Sequence, residues 1–149
     1  MKTFIGIDLG STTTKAVLMN ENQEILGRGI TNSRSNYDTA AAVCKQEAKV
    51  GARFTMFHNE LGANDEGVAH LLEDLERNFR LEQFLHELKV LEETCYGYLD
   101  HPRFKDMKTE LHGALREVFS RLEGESAGIY APGASRKSDF FRDIAGSRF

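Results

Sequence analysis

Cysteine is scarce in this sequence. Cys44 and Cys95 are the two in 149 residues, far apart and without a Cys-x-x-Cys partner. That argues against a disulfide scaffold or a zinc module. No apolar stretch approaches the roughly 20 residues that a membrane-spanning helix needs. Asp8 interrupts the apolar N-terminus, so no secretory leader is read there. A long basic run is missing too, and 19 Lys+Arg against 23 Asp+Glu leave a net charge of −4. Nonspecific nucleic-acid binding and attachment to an acidic membrane surface are both disfavoured. Repeats and low-complexity tracts do not occur. These absences point to a soluble, cytoplasmic chain whose length is ordinary for one domain with its own core.

What is present divides into two unlike parts. Residues from about 3 to 32 read as β, and nearly everything after about 37 reads as α. Thr3–Leu9 is short, β-branched and apolar, which predicts a buried strand. Gly10-Ser11-Thr12 follows as a turn. Thr14–Met19 alternates as a second strand, and Asn20–Gln23 is a polar turn cluster. Glu24–Thr31 makes a third strand, weakened by Gly27 and Gly29. Tight turns between consecutive strands imply an antiparallel meander.

The helical part begins where Ser35, with Asp38 three residues later, matches a capping box. Val43, Val50, Phe54, Phe57 and Leu61 then recur at helical spacing, and Gly62–Asp65 reads as a stop and restart. A second helix is expected from about 66 to 98, ~50 Å long at the usual rise per residue. Its stripe runs through Val68, Leu72, Leu75, Phe79, Leu85, Leu88, Leu91, Cys95 and Tyr98. Asp100-His101-Pro102 ends it. Phe104, Met107, Leu111, Leu115, Val118 and Leu122 mark a third helix. A loop is expected from about 124 to 138, with Ser138 capping a last short helix. One apolar stripe per helix predicts a small bundle or hairpin. The expected class is α+β, with a β-meander in residues 1–36 and a helical region in 37–149.

Chemically useful groups concentrate in one place, Asp8-Leu9-Gly10-Ser11-Thr12-Thr13-Thr14-Lys15. A turn after a strand exposes backbone N–H donors, and Gly10 lets an anion approach closely. Ser11, Thr12 and Thr13 add hydroxyl donors, and Lys15 supplies a point charge for phosphate oxygens. Asp8, at the strand end, is placed to hold Mg²⁺ directly or through water. The stretch is neither a Walker A loop nor a G-x-G-x-x-G fingerprint, since a strand follows it and a second glycine before the lysine is missing. The plainer alternative is a Ser/Thr-rich hairpin turn with a solvated aspartate.

Ile5–Lys15, followed by a second strand, resembles the first phosphate motif of the actin, Hsp70 and sugar-kinase ATPase superfamily. Gly-Ser-Thr-Thr-Thr-Lys is similar to the activator ATPases of 2-hydroxyacyl-CoA dehydratases and the ATPase subunits of ATP-dependent benzoyl-CoA reductases. The continuation Ile25–Ala40, with Asn32-Ser33-Arg34-Ser35-Asn36-Tyr37-Asp38 at its centre, is most similar to the alpha (ATPase) subunits of class I benzoyl-CoA reductases. The helical stretch after it resembles the long insertion those subunits carry. The resemblance implies a ribonuclease-H-like ATPase lobe, with ATP and Mg²⁺ as ligands. It implies that Asp8 lies near hydrated Mg²⁺, that Gly10, Ser11, Thr12 and Thr13 wrap the β- and γ-phosphates, and that Lys15 contacts a phosphate oxygen. It further implies a hetero-oligomer. ATP hydrolysis there drives an electron from ferredoxin through a 4Fe-4S cluster, held between two ATPase subunits, to catalytic subunits that reduce the aromatic ring.

The second phosphate motif, the adenosine motif and the cluster-ligating cysteines of that family are not found before Phe149. A two-lobed ATPase needs both halves of its cleft, so the chain reads as the front part of a larger protein. Alone, it is expected to bind ATP weakly or not at all. Cys44, beside Ala40, Ala41 and Ala42, and Cys95, on an apolar stripe, read as small core residues. The pairs Glu66/His70 and Glu82/His86 lack the Glu-x-x-His spacing of di-iron bundles and read as exposed charge pairs. Arg34 reads as a solvated loop arginine. A different class of reading is a helical protein-interaction module whose β-hairpin is merely structural.

Overall fold

The computed structural model describes residues 1–33, 36–62, 65–134 and 141–146. The chain forms two compact units, Met1–Glu76 and Arg77–Phe149. The first contains strands β1 (Thr3–Leu9), β2 (Thr13–Asn20) and β3 (Ile25–Asn32), followed by helix α1 (Tyr37–Phe57). The strands form one antiparallel sheet in the order β1-β2-β3. The α+β class and the meander are therefore as the sequence indicates.

Alternation along β2 decides which face is covered. Thr14, Ala16, Leu18 and Asn20 are buried, while Lys15 between them is exposed. The covering element is α1, which presents Cys44, Ala48 and Ala52 to Ala16, Leu18 and Leu26. Ala40, Cys44, Ala48 and Ala52 recur every fourth residue, so they form one stripe along the helix. Expectation and structure differ here. The inward stripe is built from the smallest side chains, and the larger Phe57 and Leu61 are exposed. Val50 and Phe54 are buried as expected.

Small side chains let the helix backbone come very close to β3. A Cβ added at Gly27 would lie 2.7 Å from the Ala52 nitrogen and closer still to the Ala48 carbonyl oxygen. One added at Gly29 would strike the Cys44 carbonyl group. These glycines do not merely weaken the strand; they are the surface on which α1 sits. Below about 3 Å such an approach tolerates no side chain, and backbone on both sides leaves nothing flexible to yield.

β1 is the second difference. Every residue of it is exposed, where a buried strand is expected from its composition. The reason is where α1 sits: β1 and β3 are both edge strands, but the core beneath α1 is made by β2 and β3. At the other end of the sheet, Asn20 organises the β2–β3 turn. Its Oδ1 accepts from Asn22 N at 2.9 Å and from Glu24 N at 3.0 Å, and Gln23 takes a φ of 65°. The start of α1 is capped by Asn36, whose Oδ1 accepts from Thr39 N at 2.9 Å. Ser35, the expected cap, lies outside the described residues.

After a π-turn at His58–Gly62, α2 runs over Glu66–Tyr98, close to its expected span. Asp65 caps it, accepting from Gly67 N at 2.8 Å and Val68 N at 3.2 Å. A 3₁₀ turn (Pro102–Met107) takes up Phe104 and Met107, and α3 covers Lys108–Ile129. The loop expected from about residue 124 is therefore helix as far as Ile129. Tyr130, just past its end, packs its ring 5.9 Å from that of Phe84, and this apolar anchor outweighs Gly124 and Gly128. The six-residue helix α4 (Phe141–Gly146) brings Phe141 to 5.3 Å from the same ring. Phe84, Leu88, Phe119, Leu122 and Tyr130 form the centre of this second unit. Phe84 is its largest fully buried side chain and falls between the stripe residues expected from spacing. Ser138 lies outside the described residues. Among those described, no helix is long and apolar enough to cross a membrane.

Alanine at Gly27 or Gly29 is expected to destabilise the first unit by about 3 kcal/mol, at the upper end of overpacking penalties. Gly6 is the control, since nothing lies within 4 Å of a Cβ added there. Gly6→Ala is expected to stay within about 1 kcal/mol of the parent, in the stabilising direction. Denaturant midpoints of the three variants check this; equal midpoints would contradict the close helix–strand contact.

Candidate functional site

The β1–β2 turn is built by its hydrogen bonds rather than by strand pairing alone. Gly10 N donates to Thr13 O at 3.1 Å, closing the turn. A Cβ on Gly10 would lie 2.6 Å from that same oxygen, so glycine is required for closure itself. Ser33, the residue after β3, reaches this turn from 23 residues away in the chain. Its N–H donates to Thr12 O at 2.9 Å, extending the ladder beyond the Thr13–Asn32 pair. Its hydroxyl donates to Gly10 O and meets Thr14 Oγ1 at 2.8 Å. Below these, the Cys44 thiol of α1 donates to Thr14 O at 3.0 Å.

The carbonyls of Gly10, Thr12 and Thr13 are thus all hydrogen-bonded, the first two to Ser33 and the third within the turn. Among the described residues, the N–H groups of Ser11 and Thr12 have no acceptor, and both residues are exposed. A turn whose carbonyls are bonded and whose exposed N–H groups are left without acceptors has the polarity that anions bind. Asp8 and Lys15 flank it. They pair directly across β1 and β2 and share the face opposite the buried Thr14 and Ala16. Both are exposed. Thr13, the first residue of β2, is half-buried at the edge of the turn.

The structure therefore brings Asp8, Gly10, Ser11, Thr12, Thr13 and Lys15 together within one hairpin end. It adds Ser33, Thr14 and Cys44, which the pattern of residue types does not single out. The signal for Ser33 lies in the β2–β3 register, which sets it beside Thr12 and is not visible in the local motif. Thr31, opposite Thr14 in the ladder, is also buried, and its hydroxyl has no partner among the described residues.

The donor set fits one divalent cation better than a cluster. Among the described residues, no three His, Cys, Asp or Glu side chains gather as a metal site. Mg²⁺ does not need such a gathering, since it takes one or two carboxylates together with phosphate oxygens and water. Asp8 fits that requirement. A 4Fe-4S cluster does not fit these residues. The Cys44 thiol is fully buried and bonded to Thr14 O, and burial pushes the Cys95 thiol above its usual pKa. His70 pairs with Glu73 at 3.4 Å on an exposed surface, not with Glu66. Arg34 lies outside the described residues.

Cysteine labelling tests this placement. A thiol reagent at pH 8 is expected to modify Cys95 slowly and Cys44 only as the first unit unfolds. Labelling of native Cys44 at the rate of the unfolded chain would contradict its burial.

No curated protein and no solved structure matches the chain. A family model described as the BadF/BadG/BcrA/BcrD ATPase family matches residues 5–139, a span that includes the turn, α1, α2 and α3. With that coverage, the chain belongs to the BadF/BadG/BcrA/BcrD ATPase family.

Proposed function

We propose that the turn between β1 and β2 holds the phosphates of Mg·ATP, within an ATPase subunit that couples hydrolysis to low-potential electron transfer. One observation carries the reading: the buried Ser33 hydroxyl holds the Gly10 carbonyl, which aims the Ser11 N–H of the same peptide unit away from it, and the exposed Ser11 and Thr12 N–H groups have no acceptor among the described residues. In this role the two N–H groups and the Thr13 hydroxyl bind phosphate oxygens. Lys15 adds a positive charge at the same end of the sheet. Asp8 orients the cation or its water shell. Mg²⁺ bound there neutralises charge on the phosphates and so favours phosphoryl transfer.

The finer assignment follows the resemblance of Ile25–Ala40 to benzoyl-CoA reductase ATPase subunits. In this proposal residues 1–36 supply part of the ATPase lobe and residues 37–149 the helical insertion, with α1 also buttressing the sheet. The partners are a second ATPase subunit, catalytic reductase subunits and ferredoxin, in the cytoplasm. The electron's destination is the ring of benzoyl-CoA. The 4Fe-4S cluster between ATPase subunits is held by residues other than Cys44 and Cys95. A second reading, a helical interaction module with a structural hairpin, draws support from Leu71 and Leu75, which are exposed one helical turn apart on α2.

An amide NMR titration of the chain with Mg·ATP separates the two. The phosphate reading predicts shifts confined to residues 8–15, saturating only at millimolar nucleotide. Removing Mg²⁺, Asp8→Ala or Lys15→Ala is expected to weaken them at least tenfold while the remaining resonances stay in place. Shifts centred away from residues 8–15, or equal shifts in the Lys15→Ala chain, would overturn the phosphate reading.

A further inference from the structure

Ser33 is fully buried, yet it makes three hydrogen bonds to the turn. A serine hydroxyl has one proton to donate and lone pairs to accept. With that proton directed to Gly10 O, the 2.8 Å contact with Thr14 Oγ1 has one possible sense: Thr14 donates and Ser33 accepts. The result is a one-way chain, Thr14 hydroxyl to Ser33 hydroxyl to Gly10 carbonyl. Each donor in such a chain polarises the next and strengthens it. The Ser33 N–H holds Thr12 O from the same residue. Two of the turn's three bonded carbonyls are therefore fixed by one residue just past β3.

A free hairpin turn has no reason to keep its carbonyls on one side. Rotating the peptide between Gly10 and Ser11 would move the Gly10 oxygen and the Ser11 N–H together, since they belong to one planar unit. Bonding that oxygen inward thus aims the Ser11 N–H outward. The same coupling holds between Thr12 O and the Thr13 N–H.

We propose that Ser33 is the positioning residue of the phosphate turn, aiming the Ser11 N–H at the anion by holding the Gly10 carbonyl from behind. Thr14 supports it by fixing the direction of the Ser33 hydroxyl. Ser33 touches no phosphate itself. The role rests on the phosphate reading above, but the geometry it asserts is measurable without nucleotide.

The test uses three variants of the full chain: Ser33→Ala, Thr14→Val and Thr31→Val. Thr31 is the internal control, a buried hydroxyl nearby that has no partner among the described residues. The first readout is hydrogen exchange of the Gly10 amide, which is bonded within the turn to Thr13 O. Ser33→Ala is expected to speed that exchange about tenfold, the effect of losing one ordinary hydrogen bond. Thr14→Val is expected to give a smaller increase and Thr31→Val none, with exchange in α1 unchanged in all three. Equal acceleration in Thr31→Val, or none in Ser33→Ala, would overturn the proposal. Should Ser33→Ala fail to fold, Thr14→Val carries the same comparison.

The second readout is the Mg·ATP-induced shift of the Ser11 amide. It is expected to need at least tenfold more nucleotide in Ser33→Ala than in the parent, with an unchanged melting temperature for Thr31→Val. A parent chain whose nucleotide shifts fall away from residues 8–15 removes the phosphate reading, and with it the ligand assigned to this turn. The exchange series still decides whether Ser33 holds it.

Discussion

The backbone of α1 rests on the backbone of β3 at Gly27 and Gly29, and the candidate site depends on that contact. It brings Cys44 within reach of Thr14 O and packs the helix directly on the strands that carry the turn. Alanines and a cysteine bury little apolar area per residue, so the contact gains less from the hydrophobic effect than a leucine-rich one would. Its strength comes from many close backbone and methylene contacts and from the hydrogen bonds it shelters. Such an interface is unforgiving, because a single added methyl group meets main-chain atoms on the other side.

From that platform the turn acquires its polarity. Peptide units are rigid, so the direction of a carbonyl sets the direction of the next N–H. Fixing Gly10 O aims the Ser11 N–H away from Ser33 before any ligand arrives. The reorganisation that a flexible loop would undergo on binding is already made in the fold, which is what electrostatic preorganisation means at a phosphate site. Asp8 and Lys15 stay on the exposed face, where water reaches them. The inner face carries hydroxyls and a thiol, which position without adding charge.

Much of this is legible in the sequence, and the failures share a cause. The three strands, their order and the turn at Gly10 follow from local composition, and α2 begins and ends at its polar breaks. The exposure of β1 does not follow, because an apolar strand looks the same whether or not a helix covers it. The stripe of α1 is misjudged for a related reason. Val43, Phe57 and Leu61 dominate a periodicity count, while the residues that touch the sheet must be small to fit glycines on a different element. Gly124 and Gly128 look like helix breakers, yet Tyr130 packing on Phe84 keeps α3 going. In the site, Asp8 through Lys15 are adjacent and easily seen. Ser33 is visible only once the β2–β3 register is known.

The outward donors of the turn are the centre of this account, and a crystal structure of the chain grown with Mg²⁺ and tripolyphosphate tests them most directly. Tripolyphosphate carries the phosphate groups without the adenosine. The account predicts phosphate oxygens within hydrogen-bond distance of the Ser11 and Thr12 nitrogens, Lys15 reaching the same anion, and Ser33 still bonded to Gly10 O. A turn whose Gly10 carbonyl faces the solvent, with the anion bound elsewhere on the chain, would contradict it.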